Sequence, residues 1–377
     1  MVSSLTIMSV ITISPALPQM AVVFAHVENA ALLVKLVMTI PALMIAIVSP
    51  ITGRLIDRYG RLRILWLSLL LYAMSGSAGY FLDSLYHLLL SRAVLGIAVG
   101  MSMTVVITLI ADYFEGATRQ RFVGIQIAFM SMGGILFIGL GGILADLGWR
   151  FPFLIYLFSL VVLPFSIMFL HEPLVAHKKR NDSGRKATAP RVIRILFLNT
   201  MLMWIIFFLI PVQIPFHLQA IGIEKTSLAG AAIAISTAFS AVSAFLYSRI
   251  KSRLSFLSVF AFGYVLMGAG FVCVSLSNSY AWVILAMMLS GFGMGIMIPN
   301  TNMWVMKITP AEIRGKEIGK LNAFWFFGQF ISPIIIFPIL NQMTVSLTFL
   351  MAAGFLLMLS VSFLIFHYSK SGKYVMR

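Results

Sequence analysis

The sequence predicts an all-α membrane protein of twelve transmembrane helices, arranged as two pseudo-symmetric six-helix bundles. Three observations carry that reading. Hydrophobic residues make up 60% of the 377 and charged residues only 10%, whereas a soluble domain carries about 25% charged residues. So few charges cannot cover a water-exposed surface, so lipid is the solvent for most of the chain. Apolar runs long enough to span a bilayer recur along the whole length. Finally, Gly96 recurs as Gly291 and Arg54 as Arg249, a constant offset of 195 residues.

A span needs about 20 apolar residues. Reading runs between charged or Gly/Pro/Asn breaks places spans at roughly 2–23, 31–52, 64–82, 86–110, 123–145, 150–170, 194–218, 227–248, 256–276, 280–305, 318–340 and 345–367. Prolines blur the first and seventh. The first contains Pro15 and Pro18 and has no basic region before it, which argues against a cleavable signal peptide. The chain opens almost inside that span, at Met1-Val2-Ser3, which fits a short missing leader or a misassigned start.

Orientation follows from Lys and Arg. Of 27 such residues, all but Lys35, Arg92, Arg150 and Lys225 fall on one set of loops, which places both termini in the cytoplasm and the protein in the cell (inner) membrane. The formal charge of +16 is thereby read as loop anchors, not as a nucleic-acid surface. The one long polar stretch, residues 172–193, reads as a basic cytoplasmic linker. It separates a bundle over 1–171 from a second over 194–377, which ends in a short cytoplasmic tail. Anionic-lipid contact and topology suffice to explain it.

The repeat extends beyond that pair. Gly100 pairs with Gly295, Arg119 with Arg314, Gly124 with Gly319 and Gly133 with Gly328. An even number of spans per unit gives both halves one orientation. They are then related by an axis along the membrane normal, and the interface between them is the expected solute path.

The loop after the second span reads Gly53-Arg54-Leu55-Ile56-Asp57-Arg58-Tyr59-Gly60-Arg61-Leu62-Arg63. An acid among cations at a helix end can form a charge network that breaks when the halves move, and glycine permits the tight turn. A plain positive-inside loop is the simpler reading, but the spacing resembles the signature G-x-L-x-D-x-x-G-R-(K/R) of the major facilitator superfamily. Gly53, Leu55, Asp57, Gly60 and Arg61 all match, between the second and third spans. Together with the spans and the repeat, the resemblance covers nearly the whole chain. It implies that Asp57 and Arg61 latch against the end of the fourth helix, where Asp112 and Arg119 are the partners, and against the eleventh helix, stabilising an outward-facing state. The second-half counterpart, Ser248-Arg249-Ile250-Lys251-Ser252-Arg253, lacks the acid, so the latch is asymmetric.

Arg92 stands within an apolar span. An isolated charge in lipid is costly, so it either snorkels to the interface or is buried facing the central path. Arg92-xxx-Gly96-xxx-Gly100 resembles the family's fourth-helix motif, whose arginine is tied to proton coupling in drug–proton antiporters. The fifth span contains Gly133-Gly134-Ile135-Leu136-Phe137-Ile138-Gly139-Leu140-Gly141-Gly142, which resembles the antiporter motif of the drug-exporting branch, ending G-P-x-x-G-G. Phe137-Ile138 replace its Gly-Pro, which weakens the antiport implication and leaves the superfamily resemblance untouched.

A solute site belongs near midplane, on polar groups of bundle-facing helices. Gln329, Gln213 and Trp325 rank first, followed by Asn322, Trp204, His217 and Phe129. Thr6, Ser9, Gln126, Asn300, Thr301 and Asn302 are further polar positions in spans. Each serves equally well as a helix–helix hydrogen bond. No acid falls at mid-membrane. His26 and His217 titrate near neutral pH, but both are expected near the outer face and solvated. An apolar, amphiphilic or anionic solute therefore fits better than a cation, and the Met- and Phe-rich helices suit a permissive pocket.

The expectation is a secondary transporter that moves a small amphiphilic or drug-like solute by alternating access, with proton-coupled efflux first. A carrier or facilitator for a sugar, amino acid or organic anion is the alternative, and a non-transporting receptor a weaker third. No nucleophile–base set, metal cluster or Walker-type phosphate loop is visible, so neither an enzyme nor direct use of ATP is expected. No cofactor or metal is expected. The partners are a small solute, protons and membrane lipids, with no nucleic acid, and the protein is expected to be a monomer.

Overall fold

The computed structural model describes residues 1–173, 189–190, 192–310 and 312–368. Most of the basic linker and the tail cations Lys370, Lys373 and Arg377 lie outside them. The described residues form twelve helices of span length: α1 Ser4–Val23, α2 Ala30–Tyr59, α3 Arg61–Tyr80, α4 Leu85–Tyr113, α5 Gly116–Asp146, α6 Phe151–Phe169, α7 Val192–Ala220, α8 Thr226–Lys251, α9 Phe256–Ser275, α10 Tyr280–Ile308, α11 Arg314–Leu340 and α12 Val345–Tyr368. The chain is an all-α, multi-pass membrane protein. Its loops define two faces. The basic face carries the α2–α3 and α4–α5 loops, and the opposite face carries Asp83, Arg150 and Lys225.

Several helices run past their apolar runs at the basic face. α2 continues to Tyr59, α5 begins at Gly116 and α11 at Arg314. Hydropathy locates the hydrocarbon boundary, whereas backbone hydrogen bonding continues into the headgroup layer, where charged side chains are hydrated. Gly60 then stops α2 with φ 87°, a conformation that is cheap only for glycine.

The prolines of the first and seventh spans break both helices at matching depth. α1 comprises Ser4–Ile11, a 3₁₀ turn at Ser14–Ala16, and Leu17–Val23. α7 is interrupted at Phe208, between Val192–Phe207 and Leu209–Ala220. The two breaks face each other, and the Ser14 hydroxyl donates to the Pro211 carbonyl across the halves. A carbonyl left without a helical donor is thus satisfied inside protein rather than exposed to lipid.

Within each half, small residues set the packing, because lipid gives helices no hydrophobic reason to associate. A Cβ on Gly96 of α4 would stand 2.6 Å from the Pro41 carbonyl of α2, and one on Gly291 of α10 would stand 2.1 Å from the Ser236 carbonyl of α8. Gly100 faces Ile45, and Gly295 faces Ser240. Each contact recurs in the second half at the register read from the sequence. Gly133 brings α5 against Ser4 of α1, and Gly328 brings α11 against Met201 and Trp204 of α7.

Gly96→Leu is expected to lower stability by about 1–3 kcal/mol through overpacking, or to prevent folding. Gly124→Leu, with nothing within 4 Å of the added Cβ, should melt like the parent. Thermal melts of the purified, detergent-solubilised variants check the pair.

Candidate functional site

The halves meet along α5–α8 and α2–α11, with further contacts of α1 to α7 and α8. The interface is asymmetric through the membrane. Towards the opposite face, Gly142 and Gly230 bring α5 and α8 into backbone contact, each glycine's added Cβ falling within 3.0 Å of the other's Cα. Asp146 at the end of α5 then caps the start of α8. Its Oδ1 accepts from the Thr226 hydroxyl at 2.7 Å and from the Ser227 amide at 3.1 Å. A carboxylate at a helix N-terminus satisfies an orphan donor and opposes the helix dipole. The Thr226 hydroxyl also reaches the Gly142 carbonyl at 3.0 Å. Also towards the opposite face, Lys35 near the start of α2 is buried with its ammonium 5.2 Å from the centre of the Phe216 ring near the end of α7.

Towards the basic face the halves part. Among the described residues, no hydrogen bond or ion pair joins them there. Gly124 of α5 and Gly319 of α11 have nothing within 4 Å of an added Cβ. The protein is closed at the opposite face and open at the basic one.

The signature loop closes on its own half. Arg61 Nε reaches Asp112 Oδ2 of α4 at 3.1 Å, both side chains mostly covered. Glu172, just past α6, caps α3: its carboxylate oxygens accept from the amides of Arg61 at 2.7 Å and Leu62 at 2.9 Å. Gly60 leaves room for that carboxylate, whose Oε1 would lie 3.2 Å from an added Cβ. Two expected latch members sit differently. Asp57 is exposed and has no ion pair among the described residues. Arg119 turns back to cap α4 through the carbonyls of Phe114 and Ala111, because those carbonyls lack helical partners. Gly53, inside α2, has open space around it.

Arg92 is fully buried and does not snorkel. It points into its own bundle, towards α3 and α6, and not into the inter-half path. Nη2 donates to the carbonyls of Ser75, at 2.9 Å, and Gly76. The guanidinium lies 4.9 Å from the Phe153 ring centre and 4.8 Å from that of Tyr156. Gly76 and Gly79 let those two rings approach. Aromatic faces and carbonyls replace a counter-ion, since a buried guanidinium needs negative potential rather than a formal anion.

The expected solute residues divide. Trp204 of α7 and Trp325 of α11 stack at 4.3 Å, and Gln329 follows one helical turn from Trp325. Trp204 Nε1, Trp325 Nε1 and Gln329 Oε1 are buried without a partner. Gln213, also buried, leaves Nε2 unpaired. Asn322 is half-buried one turn towards the basic face, and Phe129 of α5 is 36% exposed. His217 departs from the expectation of a solvated outer-face histidine: it is 1% exposed. Its Nε2 meets the Ser277 hydroxyl at 2.7 Å, and its ring meets Phe349 of α12 edge-on. It is turned into the second bundle, away from the path. Asn300 bonds Tyr247 and the Phe256 carbonyl, so it serves helix packing.

Sequence reasoning missed Asp146, Glu172 and Lys35 as contact residues. Each stands at a span end, where charge reads as a topology anchor. For the two acids no local signal was available, since the helix starts that they cap lie 81 and 111 residues away in sequence.

These features define a polytopic membrane protein built as two helical halves around a path open at one face. The chain belongs to the Major Facilitator Superfamily, whose family model matches residues 1–333 and again 196–374. It is 26% identical over 300 residues to Multidrug resistance protein 1 of Bacillus subtilis (strain 168), covering 77% of this chain and 76% of that one. It is also 26% identical over 315 residues to Quinolone resistance protein NorA of Staphylococcus aureus (strain Mu50 / ATCC 700699), covering 78% and 77%. Among solved structures it resembles the inward-open xylose transporter XylE from E. coli, with a TM-score of 0.75, 15% identity and coverage of 99% and 96%. A bacterial homolog of the human lysosomal transporter Spinster matches equally well, with a TM-score of 0.75 and 15% identity over 97% and 95%.

Removing the cap at the opposite face should loosen it. Asp146→Ala, on a Cys273→Ser background with a reporter cysteine at Ser227, is expected to react several-fold faster with a membrane-impermeant maleimide than the Asp146 parent does. Equal rates would show that the carboxylate does not hold the face shut.

Proposed function

We propose that this protein exports a small amphiphilic or drug-like solute from the cell by alternating access, driven by protons. The observation that carries the reading is the Trp204–Trp325–Gln329 group. It offers two indole donors and one amide acceptor beside a stacked aromatic surface, all buried and all without protein partners. An unpaired buried polar atom costs about 1–3 kcal/mol, a cost that is recovered when a solute or water occupies it. The group sits on α7 and α11, two of the second-half helices that face the first half. A planar solute with one or two polar groups matches that chemistry. The names of the bacterial relatives, a multidrug and a quinolone resistance protein, support efflux over metabolite uptake.

The bias of Lys and Arg makes the basic face cytoplasmic, with both termini on that side of the cell (inner) membrane. The state described is then open to the cytoplasm and closed outside. The α5–α8 cap and glycine contact break when the halves rock, and the cytoplasmic ends come together. Gly53, Asp57, Gly60, Arg61 and Asp112 form the cytoplasmic latch, and Arg119 supports it by holding the end of α4. Asp57, exposed beside the rigid Arg61–Asp112 pair, takes its partner from the α11 end on closure. Arg92 acts on coupling from behind the path, through the packing of α3, α4 and α6, without touching solute. The protein works as a monomer, since one chain holds both halves of the path. It carries out no covalent chemistry on the solute.

Flux of a fluorescent amphiphile in proteoliposomes, with and without a pH gradient, tests the reading. The gradient should accelerate flux. Trp325→Ala and Gln329→Ala should raise the half-saturating concentration about three- to tenfold. Asp57→Asn should slow turnover at all solute concentrations, and Arg92→Gln should lower the acceleration by the gradient. Undiminished flux in both Asp57→Asn and Arg92→Gln would sink the gating and coupling assignments.

A further inference from the structure

The second bundle carries a groove unrelated to the inter-half path. It lies where α7, α9, α10 and α12 converge near the basic face, and its lining includes Leu196, Asn199, Leu257, Trp304, Ser362 and Phe363. The space measures about 180 Å³. The lining is apolar apart from Asn199 and Ser362. The Asn199 Oδ1 is engaged by the Tyr264 hydroxyl at 2.7 Å, and Ser362 returns its hydroxyl to the Met358 carbonyl at 2.8 Å. The Ser362 edge is exposed, so the groove opens outward from the bundle, towards hydrocarbon.

One wall continues directly into a cationic cluster. The Trp304 indole stacks on the Phe256 ring at 5.3 Å. Two ammonium groups lie over that same ring: Lys251 Nζ at 4.1 Å and Lys307 Nζ at 5.9 Å from its centre. Lys251 also donates to the Leu254 carbonyl at 3.1 Å. Among the described residues neither lysine pairs with an acid. Both sit in the last turn of their helices, at the depth of the headgroups. Two like charges on one aromatic ring, with no carboxylate to balance them, leave a strong demand for an anion. An aliphatic slot begins one ring away.

We propose that this groove is a binding site for an anionic phospholipid of the adjacent leaflet. One acyl chain lies along Leu196, Leu257 and Phe363, and the phosphate is held between Lys251 and Lys307. The match is one of charge and polarity: a phosphodiester for the paired cations, hydrocarbon for the slot. The four helix ends it joins belong to one bundle, so the lipid would brace the second half without obstructing the solute path. The site does not rest on the efflux reading.

Brominated phospholipids test this, because bromine in the acyl chain quenches an indole only at close range. Purified protein in detergent is titrated with dibrominated phosphatidylglycerol or with dibrominated phosphatidylcholine. Comparison with Trp304→Phe isolates the Trp304 signal from that of the other tryptophans. The expected result is Trp304-dependent quenching at lower concentrations of the anionic lipid. Lys251→Gln with Lys307→Gln should abolish that preference, by roughly fivefold for each lysine, and leave the zwitterionic titration unchanged. Ser362→Phe, which fills the groove from its exposed edge, should remove the quenching by both lipids. Helicity and gel-filtration profiles establish that each variant is folded. Quenching by the two lipids at equal concentrations in the parent protein would overturn the proposal. So would a preference that survives the double lysine change, or quenching that survives Ser362→Phe.

Discussion

The architecture turns on the contact between Gly142 and Gly230. Two helices from different halves touch backbone to backbone there, and no other residue type permits that approach. It closes one face of the protein and brings Asp146 within reach of the first amides of α8. The cap, the facing breaks of α1 and α7, and the Lys35–Phe216 stack all lie in the same layer or towards the middle of the membrane. Because this layer is tight and the basic side is parted, rocking of the halves exchanges which face is closed. What the rest of the chain contributes is rigidity within each half.

That rigidity is built twice, from the same parts. Gly96 and Gly100 lock α4 to α2, and their counterparts lock α10 to α8. The copies then diverge in what they bury. The first half encloses Arg92 among two aromatic rings and two carbonyls, a cation held without a counter-ion. The second half has Met287 at that place and holds neutral pairs instead, Tyr264 with Asn199 and Tyr247 with Asn300. The second half also carries the stacked tryptophans whose polar atoms are unpaired. At matching positions, then, the first bundle buries a cation and the second a methionine, and the second adds the unpaired indoles and Gln329.

Much of this was legible in the sequence, for identifiable reasons. Span length is fixed by the bilayer, so twelve apolar runs gave twelve helices. The glycine register was readable because each glycine answers a steric demand that recurs with the repeat. Direction was harder to read. Arg92 and His217 each lie on a helix bordered by several others, and periodicity does not say which neighbour a side chain faces. Both turned into their own bundle. The charged caps were harder still. Asp146 and Glu172 act on helix starts distant in sequence, Ser227 and Arg61, and nothing local marks the pairing. Arg61 meets Asp112 while Asp57 stays free of Arg119, because Gly60 turns the chain and sends α3 back past the end of α4.

The central claim is that the two halves rock as rigid bodies, so that the α5–α8 contact opens as the basic ends come together. Distances between spin labels across the halves test it most directly. One pair, at Gln120 and Arg249, reports the basic face; the other, at Leu147 and Lys225, reports the opposite face. Pulsed electron paramagnetic resonance in lipid nanodiscs, recorded at acidic and at alkaline pH with and without an amphiphilic solute, gives both distributions. The account predicts that conditions which shorten the first distance lengthen the second, in the same population fraction. Distances that stay fixed under every condition, or that move in the same direction at both faces, would contradict it.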